Sequence, residues 1–119
     1  MPHIRVEYSQ TLDDHPEFNI RTLLENMHHA LGQRSQNNVS LDRVQTRAIP
    51  CKDFKIGTGQ KETYFVAAVV LLMAGRSYAV KKEIAGEQLS LIQEYLGELS
   101  SKTRITVDVQ DLSSAYSYT

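Results

Sequence analysis

The residue with the most distinctive chemistry is the second. Pro2 stands at the head of a segment in which Ile4, Val6 and Tyr8 alternate with His3, Arg5 and Glu7, the period of a half-buried strand. Proline cannot donate a ladder hydrogen bond and is tolerated at the first residue of a strand, so one reading is that Pro2 merely opens it. The other starts from Met-Pro itself. A small second residue permits removal of the methionine, and Pro2 would then carry a free secondary amine on a rigid ring. The other chemistry-bearing residues have weaker patterns. His28 and His29 are adjacent on a helical stripe and point about 100° apart, while His3 and His15 lack a partner at ligand spacing, so no metal site is expected. Cys51, the only cysteine, excludes an intrachain disulfide and reads as a bystander thiol. Gly57-Thr58-Gly59 is a turn, not a phosphate loop.

The elements that must position these residues follow from periodicity. A strand spans 3–9. After the Pro16 turn, apolar residues at 20, 23, 24, 27 and 31 form a helical stripe ending near Gly32. Residues 34–40 are a polar loop. A strand is expected over 41–49, with Val44, Thr46 and Ala48 on one face and Arg43, Gln45 and Arg47 on the other. Residues 50–62 connect to TYFVAAVVLLMAG (63–75), a continuous apolar run expected of a strand covered on both faces. Tyr64 and Phe65 open it as core or interface residues. Ser77 is a helix cap, and positions 85, 89, 92, 96 and 99 form the stripe of the helix that follows. RITVDV (104–109) alternates as a last strand, and the tail 111–119 gives no strong signal.

The chain therefore reads as one domain, 1–119, built from two βαβ halves at about 2–49 and 63–110. The fold class is α/β (α+β), a four-stranded sheet with two helices on one face. The apolar third strand leaves the other face needing cover, which an oligomer would supply. Thirteen basic and fourteen acidic residues give no basic excess for nucleic acid. The longest apolar stretch is about half a bilayer span, and no signal peptide is visible. A soluble, cytoplasmic protein without a membrane or nucleic-acid partner is expected.

MPH-x-x-VEYS at 1–9 and AGRS at 74–77, set in the tandem βαβ plan, resemble the tautomerase superfamily, and within it 5-carboxymethyl-2-hydroxymuconate isomerase. The resemblance runs from Met1 to about Leu99. It implies a cofactor-independent and metal-free homotrimer whose sheets pack together, acting on a small carboxylate in aromatic compound catabolism. It also implies that Pro2 is the catalytic base, converting an enol or dienol carboxylate to its keto form by taking a proton from oxygen and returning one to carbon. A base works best with a pKa near the operating pH. Burial and a neighbouring cation both favour the neutral amine.

The resemblance assigns substrate binding to Arg76, one residue before the Ser77 cap, where free helix N–H groups favour an anion and the guanidinium can grip a carboxylate by two bonds. An exposed arginine at a helix entry is the plainer reading. Allowing a four-residue insertion near 34–40, the family's strand arginine falls on Gln45. Arg47, two residues on and matching a second family arginine, is the preferred substitute over Arg43. An amide at 45 can bond a substrate oxygen but not neutralise it. A non-catalytic trimeric binding protein on the same scaffold is thus the alternative. Arg5, where the family is usually apolar, is unexplained. A ferredoxin-like RNA-binding module would need stacking aromatics and a basic sheet face; the third strand offers AAVVLLM instead.

Overall fold

The computed structural model describes residues 1–119. Six principal elements follow one another: β1 (His3–Ser9), α1 (Ile20–Gly32), β2 (Gln45–Cys51), β3 (Tyr64–Leu72), α2 (Tyr78–Leu96) and β4 (Thr103–Asp111). β1 pairs in parallel with β2, and β3 in parallel with β4, while β1 and β3 meet antiparallel. The sheet order is β2-β1-β3-β4. Each half is a βαβ unit, and the halves join through their first strands.

Alternation dictates which side chains build the core. Ile4, Val6 and Tyr8 of β1 and Val66, Ala68, Val70 and Leu72 of β3 are buried beneath the helices, where they meet Leu23, Met27 and Leu31 of α1 and Ile84, Ile92 and Leu96 of α2. The outer face carries the opposite set: His3, Arg5 and Glu7; Gln45, Arg47 and Ile49; Phe65, Ala67, Val69 and Leu71; and Arg104, Thr106, Asp108 and Gln110. Its apolar content lies mainly on β3, whose four outer residues stay half-buried, with Ile49 exposed on β2. Phe54, from the connection after β2, covers one end by packing edge-on against Phe65 at 5.4 Å.

Helix ends are capped from the sequence. Asn19 accepts from Arg21 N–H, and Ser77 accepts from Val80 N–H, each satisfying an amide that has no intrahelical partner. Arg34, buried just beyond α1, reaches Glu83 at 2.8 Å and Glu87 at 2.7 Å on α2. That ties the two helices at the end nearest the amino terminus.

Two expectations are corrected. The second strand does not span 41–49: Leu41–Arg43 is a tight 3-10 turn and β2 begins at Gln45. Arg43 therefore lies in that turn, off the strand face shared by Gln45 and Arg47. The α2 stripe is not 85, 89, 92, 96 and 99 but Ile84, Gln88, Ile92 and Leu96. A fully buried glutamine occupies one position of the stripe, donating from Nε2 to the Met27 carbonyl of α1 at 3.1 Å. Counting only apolar residues skips such a position.

Candidate active site

The two pairings of β1 bring distant segments to its first residue. Gln45 opens the parallel β2 opposite His3, and Leu71, next to the last residue of the antiparallel β3, stands opposite the same residue. Pro2 lies at the meeting point of 1–3, 43–47 and 71–76. It is buried, and its carbonyl accepts from Gln45 N–H at 2.9 Å, extending the ladder past the start of the strand. The Met1 amine beyond it has its pKa lowered from the ordinary α-amine value, first by burial and then by the charges of Arg43 and Arg76. Consecutive Cα atoms are ~3.8 Å apart, so Pro2 follows within one residue of that amine.

Arg76 is bound within the protein itself. Its Nε donates to the Asn37 carbonyl at 2.9 Å, one terminal nitrogen to Met73 at 2.9 Å and the other to Asn38 at 3.2 Å. The guanidinium clasps the 34–40 loop to the end of β3, and one N–H on each terminal nitrogen is left over. Asn38 sits at φ 61° in the left-handed region, which asparagine tolerates. The clasp fixes the cation beside the amino terminus rather than leaving it free to follow a ligand.

Gln45 and Arg47 stand two residues apart on the outer face with His3. Gln45 is exposed, and its backbone rather than its side chain makes the contact with Pro2. Arg47 donates to Nδ1 of His3 at 3.2 Å. Nε2 of the same ring lies 2.8 Å from the hydroxyl of Tyr116, and the two rings meet edge-on at 5.7 Å. Arginine can only donate, so Nδ1 presents a lone pair and the ring is neutral with its proton on Nε2. Burial, then Arg47 and the amino terminus, lower its pKa from the usual histidine value. Sequence reasoning set His3 aside and gave the tail no role; the contact joins residues 113 positions apart, and no local pattern announces it.

Of the other histidines, His15 bonds Tyr64 and His28 bonds Thr46. No three His, Cys, Asp or Glu side chains converge on a point. No helix is long and apolar enough to cross a membrane. None of the five principal clefts is lined by Pro2, Arg47 or Arg76; the first, of about 570 Å³, lies between α1 and the edge strand β2. The amino-terminal cluster is an open surface of the single chain: an amine held toward its neutral form, ringed by cations.

The sequence matches the family of 5-carboxymethyl-2-hydroxymuconate isomerase over residues 2–119. The chain belongs to this family. Among solved structures, a 5-carboxymethyl-2-hydroxymuconate isomerase from Deinococcus radiodurans R1 superposes with a TM-score of 0.83 at 21% identity, covering 99% of this chain and 87% of that one. A 5-carboxymethyl-2-hydroxymuconate delta-isomerase gives 0.74 at 17% identity, covering 100% and 86%. A fused 4-OT described as a symmetric trimer gives 0.63 at 20% identity, covering 90% and 85%. No curated protein matches by sequence. The family places the chain among isomerases of the tautomerase kind, and the neighbours share its four-stranded, two-helix fold.

Proposed function

We propose that the protein is a cofactor-independent tautomerase that converts an enol or dienol carboxylate, of the 5-carboxymethyl-2-hydroxymuconate type, to its keto form. Pro2, exposed as the amino terminus by removal of Met1, is the base. It takes the proton from the enol oxygen and delivers one to carbon, so a single group closes the cycle. The observation that carries this reading is the environment of the amino terminus: Pro2 is buried, and the Met1 amine bonded ahead of it has its pKa lowered by burial and by the charges of Arg43 and Arg76. A neutral amine is the working form of a base, and the same cations attract the substrate carboxylate. Arg76 and Arg47 bind the substrate, and Gln45 offers an amide to one of its oxygens.

The assembly proposed is a homotrimer. The half-buried row Phe65, Ala67, Val69 and Leu71 gives the outer face an apolar strip for a second copy, and an open amino-terminal surface would gain walls from it. The 4-OT neighbour described as a symmetric trimer supports this.

The alternative is a trimeric binding protein without catalysis. Gln45 favours it, because it removes a cation from the site, and so does any chain that keeps Met1, where the Pro2 nitrogen is an amide and no base. Titration of the Pro2 nitrogen by NMR, on protein labelled with ¹⁵N-proline, separates the two. A free amine titrating near neutrality, with turnover of an enol carboxylate lost in Pro2→Ala, establishes the tautomerase. An amide signal that never titrates, or an amine as basic as free proline, leaves the binding protein.

A further inference from the structure

The 34–40 loop that seats Arg76 is itself held by a second arginine. Arg34 is buried, and every nitrogen of its guanidinium has a partner. Nε donates to Asn37 Oδ1 at 3.1 Å, and the terminal nitrogens reach Glu87 at 2.7 Å and Glu83 at 2.8 Å. The two acids stand one turn apart on α2, so they fix the plane of the guanidinium against that helix. Arg34 holds Asn37 twice, since its carbonyl also accepts the Asn37 N–H at 2.8 Å. The same carbonyl accepts from Val39, which is buried in the core. Asn37 turns its own carbonyl to Arg76 Nε at 2.9 Å, and Asn38 turns the next one to a terminal nitrogen at 3.2 Å. A ring of contacts closes. α2 grips Arg34, Arg34 orients Asn37, and Asn37 seats Arg76, one residue before the cap of α2.

We infer that Arg34 is a positioning residue for Arg76: it acts through Asn37, touches no ligand, and sets where that cation stands beside the amino terminus. The inference deepens the proposed function and rests on its reading of Arg76 as a substrate contact. A tie between the helices needs only the two acids. The bond from Nε to Asn37 adds nothing to that tie; it is directed at the residue whose carbonyl meets Arg76. Lysine at 34 separates the two roles, because an ammonium can pair with Glu83 or Glu87 but lacks the planar fork that also reaches Asn37. Binding and catalysis depend steeply on position. A loosened loop therefore weakens carboxylate binding although every group that touches the ligand remains.

Two measurements on Arg34→Lys test the assignment. The first is exchange of the Arg76 Nε–H with solvent, followed by NMR on protein labelled with ¹⁵N-arginine and assigned by its loss in Arg76→Met. It should be about tenfold faster than in wild type. The second is calorimetry with trans,trans-muconate, a dicarboxylate without an enol to turn over. Binding should weaken about fivefold, against about tenfold for Arg76→Met. The double variant should bind no more weakly than Arg76→Met alone, as for two residues acting through one contact. Unchanged exchange overturns the inference and leaves Arg34 as a tie between helices. Losses of affinity that multiply in the double variant overturn it too. Should Arg34→Lys fail to fold, Asn37→Ala reads the same two quantities, because it removes the side-chain link and keeps the carbonyl. Failure of the underlying reading looks different. Muconate affinity is then indifferent to Arg76→Met while the Nε–H still exchanges faster in Arg34→Lys, which upholds the positioning and removes Arg76 from the substrate site.

Discussion

The hydroxyl of Tyr116, 113 residues away in sequence, lies 2.8 Å from Nε2 of His3, while Arg47 donates to Nδ1 of the same ring. The imidazole is held from both sides in one neutral tautomer. Protonation would put a hydrogen on Nδ1 facing a donor, and burial first, then the charges of Arg47 and the amino terminus, hold the folded pKa below the ordinary value. The unfolded chain then binds more protons than the folded one, so stability rises with pH.

The sign gives a prediction. The contribution of His3 is fully present above the unfolded value of about 6.5 and is lost as pH falls through the lowered folded value. Urea unfolding at pH 7.5 and pH 5.5 should show a drop at the lower pH that is smaller in His3→Phe. Besides Arg47, the groups acting on the ring are Tyr116 and the amino terminus; the amine's own pKa is lowered too, so the difference between the two proteins, and not the drop itself, reports His3. An equal drop in both proteins refutes the tautomer argument.

Arg76 should prove to be as much a structural residue as a binding one. It donates to three carbonyls, from Asn37, Asn38 and Met73, and hydrogen bonds from charged groups contribute about 1.5–3 kcal/mol. Arg76→Ala should cost about 2–3 kcal/mol in urea unfolding. Arg76→Lys should recover less than half of it, since an ammonium cannot reproduce the planar fork. If the alanine variant loses ligand affinity with unchanged stability, the clasp is not a structural contribution.

Gly32 controls how closely α1 approaches the turn that carries Arg43. A Cβ there would lie 2.5 Å from Leu41 Cδ1 and 2.9 Å from Leu41 Cα. The backbone atom cannot rotate away, so the 41–43 turn must move. Gly32→Ala gains helix propensity of about 1 kcal/mol but should destabilise on balance by about 1–3 kcal/mol. A thermal scan decides the sign, and a stabilised variant would mean that the turn yields without cost.

Gln88 predicts the opposite direction. Its Nε2 is bonded to Met27, but Oε1 is buried without a partner, and an unsatisfied buried acceptor costs about 1–3 kcal/mol. Gln88→Met keeps the volume and removes the orphan oxygen. Its midpoint in urea should be unchanged or higher. A loss of more than about 1 kcal/mol would show that the bond to α1 outweighs the orphan.

How much of this was legible in the sequence depends on the range of the contact responsible. β1 and α1 stand where their periodicity put them, because alternation and the 3.6-residue stripe are local and face one core. β2 started late because Leu41 and Val44 look strand-like in isolation, whereas the turn between them is imposed by packing against Gly32. The α2 stripe shifted because a polar side chain sits inside it. Pro2, Arg47 and Arg76 are at the amino-terminal cluster, on the outer face or at the loop clasp. Their bonds could not be read from spacing: the carbonyls that hold Arg76 lie 3 and 38–39 residues away. The His3–Tyr116 contact depends on the tail returning across the ends of β3 and β1, and no pattern in Ser-Ala-Tyr-Ser-Tyr encodes that path.

The pH dependence of turnover tests the cations at the amino terminus. Burial, then Arg43 and Arg76, lower the pKa of the Met1 amine; on the proposed reading the same cations act on the amine of Pro2 once Met1 is removed, and a base is active in its neutral form, above its pKa. Removing a cation raises the amine's pKa, so the acidic limb of the kcat/KM profile should move to higher pH. Arg43 is the better probe, because it lies in an exposed turn and holds no loop in place. Arg43→Gln should shift that limb upward without altering thermal stability by more than about 0.5 kcal/mol, as for a surface substitution. The variant should then be slower than wild type at pH 6 and equal to it at pH 9. A uniform loss at every pH would make Arg43 a substrate contact instead, and an unmoved limb would remove it from the electrostatics of the base.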